Sequence, residues 1–248
     1  MQGLLTGFRG LAHLAVDMVY PPRCPSCRQH VGADGNFCAP CFNRLRVIEA
    51  PLCQCCGIPF VIGVGEEYLL CPECLDEKPD FDAVRAALVY DAVSGPLVTS
   101  LKFNDQWAGL TRYVQMMLRL GRPLMEGADM LVPVPLHWRR LFTRKFNQSA
   151  LLAYGLSRQV GVPCAPEMLQ RVVYTKPQMR LDRATRLKSL KHAFAVPEKM
   201  RTLLQDKIVV LVDDVVTTGA TANACARALK QAGAKEVRVI ALARAVKE

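Results

Sequence analysis

The segment Lys207 to Thr221, KIVVLVDDVVTTGAT, constrains this chain more than any other stretch. Ile208 to Val212, with Val215 just beyond, form an apolar run rich in β-branched side chains. Alternating polarity would mark a strand with one wet face. A continuous run marks a strand buried on both faces, as in a parallel sheet covered by crossover helices. The strand is expected over 207–213, so Asp213 and Asp214 fall at its carboxyl end, and Thr217, Thr218, Gly219, Ala220 and Thr221 follow. Ala222 to Ala232 then reads as a helix closed by Gly233. Acids at the carboxyl end of a parallel strand face the crevice in which such sheets bind ligands. Backbone N–H groups and threonine hydroxyls at a helix N-terminus suit a phosphate.

An apolar run, two acids, two further residues and Thr-Thr-Gly-x-Thr resemble the phosphoribosyl-diphosphate motif of the type I phosphoribosyltransferases. The resemblance implies that Asp213 and Asp214 hold the ribose 2′- and 3′-hydroxyls and act as the catalytic acids of any transfer. It implies that Thr217 to Thr221 cradle the 5′-phosphate, with Mg²⁺ accompanying the ligand. A Cβ at position 219 is expected to block that phosphate. A Walker B strand also ends an apolar run in acids, but it requires a G-x-x-x-x-G-K-[ST] loop, and the chain has none. A buried strand with a plain polar turn is the reading without chemistry, and it leaves the run of matching positions unexplained.

Nine of the eleven cysteines lie between positions 24 and 74. Eight form C-x-x-C pairs: Cys24/Cys27, Cys38/Cys41, Cys53/Cys56 and Cys71/Cys74. Tight pairs at this separation are zinc-ribbon spacing, in which two turns close one tetrahedral site. The expectation is two structural Cys₄ zinc centres in sequence, the metal replacing a core that so short a segment cannot build. Disulfides would need an oxidising compartment, and no export signal is evident. Cys55 competes with Cys56 as a ligand; Gly57 favours Cys56, because it permits the tight turn. Cys164 and Cys225 read as packing residues.

The net charge of +10 is unevenly placed. Residues 1–80 carry six Lys/Arg and nine Asp/Glu, whereas 81–248 carry twenty-six and thirteen. Within the second part, 139–201 holds fourteen bases and three acids, an excess that suits a diphosphate ligand or a nucleic acid. Zinc tetrathiolates of about −2 each would take the N-terminal part to roughly −7, a poor match for DNA and a better one for protein docking. No apolar run is long enough to cross a membrane. Leu4 to Val19 has helical apolar spacing without a cleavage signal. Residues 1–20 are therefore expected as an amphipathic helix covering the core, and the chain as cytoplasmic.

After the boundary at Lys78-Pro79-Asp80, strands are expected at 81–90, 130–134, 169–173, 207–213 and 236–245. Helices are expected at 95–103, 106–120 (capped by Asp105), 147–160 and 222–232. The alternation predicts a doubly wound, mostly parallel α/β sheet. PPRCPSC at 21–27, LKF at 101–103, DMLVPVPLHWRR at 129–140, RKFNQSALLA at 144–153, then Arg171, Thr175, Gln178 and Arg186, resemble the ComF family. Lys145 and Ser189 depart from its usual Gly and Asn. The resemblance covers the whole chain and implies an N-terminal helix (1–20), a double zinc ribbon (21–78) and a domain of type I phosphoribosyltransferase kind (79–248). It further implies a link to competence and DNA uptake, a pyrophosphate loop after strand 130–134 and a mobile lid at 174–186. Arg139, Arg140, Arg144, Arg180, Arg183 and Arg186 are then candidate diphosphate ligands.

Three functions follow. The first is a competence protein that handles single-stranded DNA through segment 139–201, binds phosphoribosyl diphosphate with Mg²⁺, and docks a helicase-like protein through its ribbon. The second is a phosphoribosyltransferase with an unidentified acceptor. Amidophosphoribosyl transfer is unsupported, since position 2 is Gln and offers no N-terminal Cys nucleophile of a glutaminase. The third, ligand-controlled transcription, wants a DNA-reading helix-turn-helix, which the sequence lacks. Family resemblance places DNA handling first.

Overall fold

The computed structural model describes residues 21–33, 35–60, 69–101, 109–137, 146–173 and 192–246. The amphipathic segment 1–20 lies outside the described residues, as do Arg139, Arg140, Arg144, Arg180, Arg183 and Arg186.

The cysteine-rich part contributes two one-turn helices, α1 (Ala39–Asn43) and α2 (Pro72–Asp76), each entered from a cysteine, with proline second in α1 and first in α2. Proline at the first helical position loses no hydrogen bond, which suits so short a turn. The chain then enters β1 (Ala83–Val89), α3 (Gly95–Ser100), α4 (Leu110–Gly121) and β2 (Met130–Pro133). Next come α5 (Gln148–Val160), β3 (Gln170–Arg171), β4 (Phe194–Ala195) and α6 (Arg201–Leu204). β5 (Ile208–Val216), α7 (Ala220–Gln231) and β6 (Glu236–Arg244) complete the described order.

The main sheet has four parallel strands in the order β1-β6-β5-β2. Val209 to Val212 are fully buried, as the apolar run requires. One face packs on α3, α4 and α5 through residues such as Leu97, Met117 and Leu152. The other packs on α7, on the β3–β4 pair and on Cys53, Cys56, Cys71 and Cys74. Helices on both faces of a parallel sheet make the expected doubly wound α/β fold.

Two expectations need correction. The strand foreseen at 169–173 is not part of the main sheet; β3 is two residues long and pairs antiparallel with β4 in a separate ribbon. β5 runs three residues past the expected end, because Asp213, Val215 and Val216 continue to pair with Ala241, Ala243 and Arg244 of β6. Edge strands demand cover, and the cysteine-rich part supplies it for β1. Ile48 N–H donates to the Ala87 carbonyl (3.0 Å), Val89 N–H to Arg46 (2.8 Å) and Val84 N–H to Cys55 (2.7 Å). Gly57 sits at this junction with φ +69°, and a Cβ there would collide with the Val84 carbonyl oxygen. Here only glycine satisfies both the turn and the close approach.

Candidate functional site

β2 pairs with β5 from Met130 opposite Val209 only as far as Pro133 opposite Val212, while β5 stays paired to β6 to its end. The sheet therefore opens at Asp213, on the side toward β2, at the switch in strand order where α/β folds bind ligands. Asn147 pins the far wall of that opening. Its Nδ2 donates to the Val134 carbonyl (3.0 Å) and its Oδ1 caps α5 by accepting from Ser149 N–H (3.1 Å), a hydrogen-bonded N-cap.

Asp213 is 8% exposed. Its Oδ1 accepts from the Ser149 hydroxyl (3.1 Å) and from Asp214 N–H (2.9 Å). Both bonds fall on one oxygen. Burial foremost, then the charge of Asp214, hold the Asp213 carboxyl well above the ordinary value of 3.8. Asp214 is half-buried and accepts from Val215 N–H (2.8 Å). Two adjacent carboxylates, one desolvated, gain from a cation or from paired hydroxyl donors.

Beyond them the chain turns through Thr217 and Thr218 into α7. Thr218 Oγ1 accepts from Ala220 N–H (3.4 Å). Gly219 has φ +77° and stands at the head of the helix, so the free N–H groups of the first turn open beside Asp213. Asp213, Thr217, Gly219 and Thr221 line one hollow. The requirement for glycine differs from the sequence expectation. A Cβ at 219 would point at the Phe81 ring, 3.6 Å away, rather than into the phosphate cradle. The left-handed backbone is what excludes other residues.

The eight cysteines form the two expected tetrads, and all eleven cysteines are free of disulfides. Within each tetrad the sulfurs lie within 4.8 Å of one another. Cys27 and Cys38 sulfurs are 3.5 Å apart, and Cys56 and Cys71 sulfurs 3.6 Å. Tetrahedral zinc with bonds of about 2.3 Å needs edges close to this, so both tetrads fit zinc. Cys56 N–H and Cys71 N–H point at Cys53 Sγ (3.4 and 3.3 Å), the outer contacts that orient a thiolate ligand. Cys55 stays out of the tetrad; its sulfur faces the Phe81 carbonyl (3.9 Å). The centres differ in setting. The second is wholly buried, whereas Cys27 of the first is exposed.

The structure thus brings Asp213, Asp214, Thr217, Thr218, Gly219, Ala220 and Thr221 together, while the six candidate diphosphate arginines lie outside the described residues. Sequence reasoning missed Ser149 as the group that fixes Asp213. The stretch RKFNQSALLA contained it, but a serine in a helical run carries no local signal of a partner sixty-four positions away. Arg244 was also missed, at the end of β6 among apolar residues, where it is 4% exposed.

A double zinc ribbon model matches residues 15–75 and a phosphoribosyl transferase domain model matches residues 147–247. Competence protein F of Haemophilus influenzae is 30% identical over 90% of this chain and 97% of its own length. DNA utilization protein YhgH of Escherichia coli K12 is 31% identical over 92% of this chain and 99% of its own. Competence protein ComFC of Bacillus subtilis is 24% identical, covering 81% of this chain and 80% of itself. With the ribbon, the parallel sheet and the ligand loop assembled in one chain, this protein belongs to the ComF family of competence and DNA utilization proteins.

Proposed function

We propose that this protein handles single-stranded DNA in the cytoplasm during DNA uptake and binds phosphoribosyl diphosphate with Mg²⁺ at Asp213 to Thr221. The observation that carries the ligand reading is Asp213. Its Oδ1 is satisfied by Ser149 and by Asp214 N–H, and its second oxygen is left at the head of α7. A buried carboxylate kept in this state is costly to the fold, so a bound ligand that donates hydroxyls or brings a cation explains its presence. Thr217, Thr218 and the N–H groups around Gly219 then receive the 5′-phosphate. DNA handling rests on the relatives' names and on the fourteen bases against three acids in 139–201. The acidic ribbon takes the protein partner, a helicase-like competence component.

A second reading, phosphoribosyl transfer to an unidentified acceptor, is favoured by the same pair of acids. The bond between C1 of the ribose and pyrophosphate would break as the acceptor bonds to C1. Catalysis would consist of positioning and charge stabilisation, with no covalent nucleophile from the protein. Thermal melting tests the shared site. Phosphoribosyl diphosphate with Mg²⁺, at about 100 times its Kd, should stabilise the parent by ~2.7 kcal/mol. Neither ribose 5-phosphate nor Mg²⁺ alone should match that. Unchanged melting with saturating ligand would remove the site. Pyrophosphate release with candidate acceptors decides between the two readings.

A further inference from the structure

The second cysteine tetrad and the ligand loop share a cavity. About 330 Å³ in volume, it is lined by Cys56, Cys71 and Cys74 on one side and by Thr217, Thr218 and Gly219 on the other. Arg244 closes it. This arginine is 4% exposed, and its Nε and Nη1 are buried without a hydrogen-bond partner. An unpaired buried guanidinium is strongly destabilising, so its location requires a reason.

The tetrad supplies one. Four thiolates on zinc carry about −2, and this centre sits in the main core. Arg244 lines the same cavity as Cys56, Cys71 and Cys74. Arg85 reaches the ribbon at Gln54, the residue between Cys53 and Cys55. The Arg85 fork is held by the Gln54 carbonyl (3.1 Å), the Gln54 Oε1 (3.3 Å) and the Val84 carbonyl (2.8 Å). Two guanidinium groups thus stand beside the second tetrad. The first tetrad, with Cys27 in water, needs no such counter-charge.

We propose that Arg244, with Arg85, is the outer charge partner of the second zinc centre, and that through Arg244 this centre holds the ligand loop in place. The links are direct. Arg244 pairs in register with Val216, and Ala245 N–H donates to the Val216 carbonyl (2.9 Å), one residue before Thr217. The Phe81 ring lies against Gly219, and Cys55 touches the Phe81 carbonyl. On either side of Phe81, Asp80 pairs with Arg227 and Asp82 with Lys230, both at 2.8 Å, so the ribbon's exit is clamped to α7. With zinc bound, the Arg244 cation shares its cavity with a tetrathiolate of about −2; without zinc, the cation beneath the loop loses that counter-charge. The inference rests on the metal centres and is independent of what the loop binds.

Competition of the two zinc ions against a chromophoric chelator tests it on the full chain, with the first centre as internal reference. Removing an outer partner typically weakens metal binding 10–100-fold. Arg244→Met should therefore release the second zinc at about 10–100-fold lower chelator while the first is unchanged. Arg244→Lys, which keeps the charge, should stay within about tenfold of the parent. In the cobalt-substituted protein, Arg244→Met should move the thiolate-to-cobalt charge-transfer band to lower energy. Hydrogen exchange across 214–222 should rise in Arg244→Met and in parent protein stripped of the second zinc, while 148–160 stays protected. Parental zinc affinity in Arg244→Met, or release from Arg244→Lys as easy as from Arg244→Met, would overturn the charge assignment. Unchanged exchange across 214–222 after loss of the second zinc would overturn the coupling.

Discussion

Replacing Asp213 by Asn should make the ligand-free protein more stable, and the gain should depend on pH in one direction. Asn keeps an Oδ1 that can accept from the Ser149 hydroxyl and from Asp214 N–H, so the two bonds of the parent survive. What disappears is a carboxylate that is 8% exposed and pushed upward by burial and by Asp214. A carboxyl whose folded ionisation lies above its unfolded one adds stability when protonated. It withdraws that stability as pH rises from 3.8 toward the raised value. Each tenfold displacement of the ionisation is worth ~1.4 kcal/mol, and each kcal/mol moves the melting point of a domain this size by about 2–4 °C. Asp213→Asn should therefore melt several degrees above the parent at pH 8, with the difference shrinking toward pH 4. Melting curves of both proteins without ligand or Mg²⁺, from pH 4 to 8, provide the comparison. A variant that melts at or below the parent at pH 8 would show that Asp213 is not held at a cost, and the ligand argument built on it would fail.

Three other outcomes follow from the same geometry. Purified protein should carry two zinc ions per chain; Cys27→Ser should lose about one with little change in the sheet, and Cys74→Ser should lose one and loosen the core, while Cys55→Ser and Cys225→Ser keep both. Asp129 accepts from Ile208 N–H and pairs with Lys207, and these hold its carboxyl below the ordinary value; Asp129→Asn should cost under about 1 kcal/mol at neutral pH, a difference lost as pH falls below 3.8. Single-strand DNA binding should fall with salt at a slope of roughly −0.7 per phosphate contacted, and Arg139→Ala/Arg140→Ala/Arg144→Ala should flatten it, whereas binding by the ribbon with the triple variant unaffected would return the DNA role to the zinc part.

The features legible in the sequence were those written in local spacing. The apolar run of β5 announced a strand buried on both faces, and four C-x-x-C pairs announced two tetrads. Asn147 was readable as a helix start because a cap acts within three residues. The misreadings concern what only the assembled sheet decides. β5 outruns its expected end because β6 continues beside it, a pairing of residues twenty-eight positions apart. Leu169 to Val173 looked like a sheet strand, yet only Gln170 and Arg171 pair, and with β4. Ser149 was invisible as a site residue because its partner, Asp213, lies sixty-four positions away along the chain. Spacing gave the two tetrads, but not that one would sit wholly buried in the core and the other would leave Cys27 exposed.

Calorimetry with phosphoribosyl diphosphate and Mg²⁺ tests the central claim most directly. The parent should bind one ligand per chain with Mg²⁺ present. Asp213→Asn and Asp214→Asn each remove a charged hydrogen bond worth ~1.5–3 kcal/mol, so each should weaken binding by roughly ten- to 150-fold. Binding by the double Asn variant as tight as the parent's, or no binding by the parent, would contradict the placement of the ligand at Asp213 to Thr221.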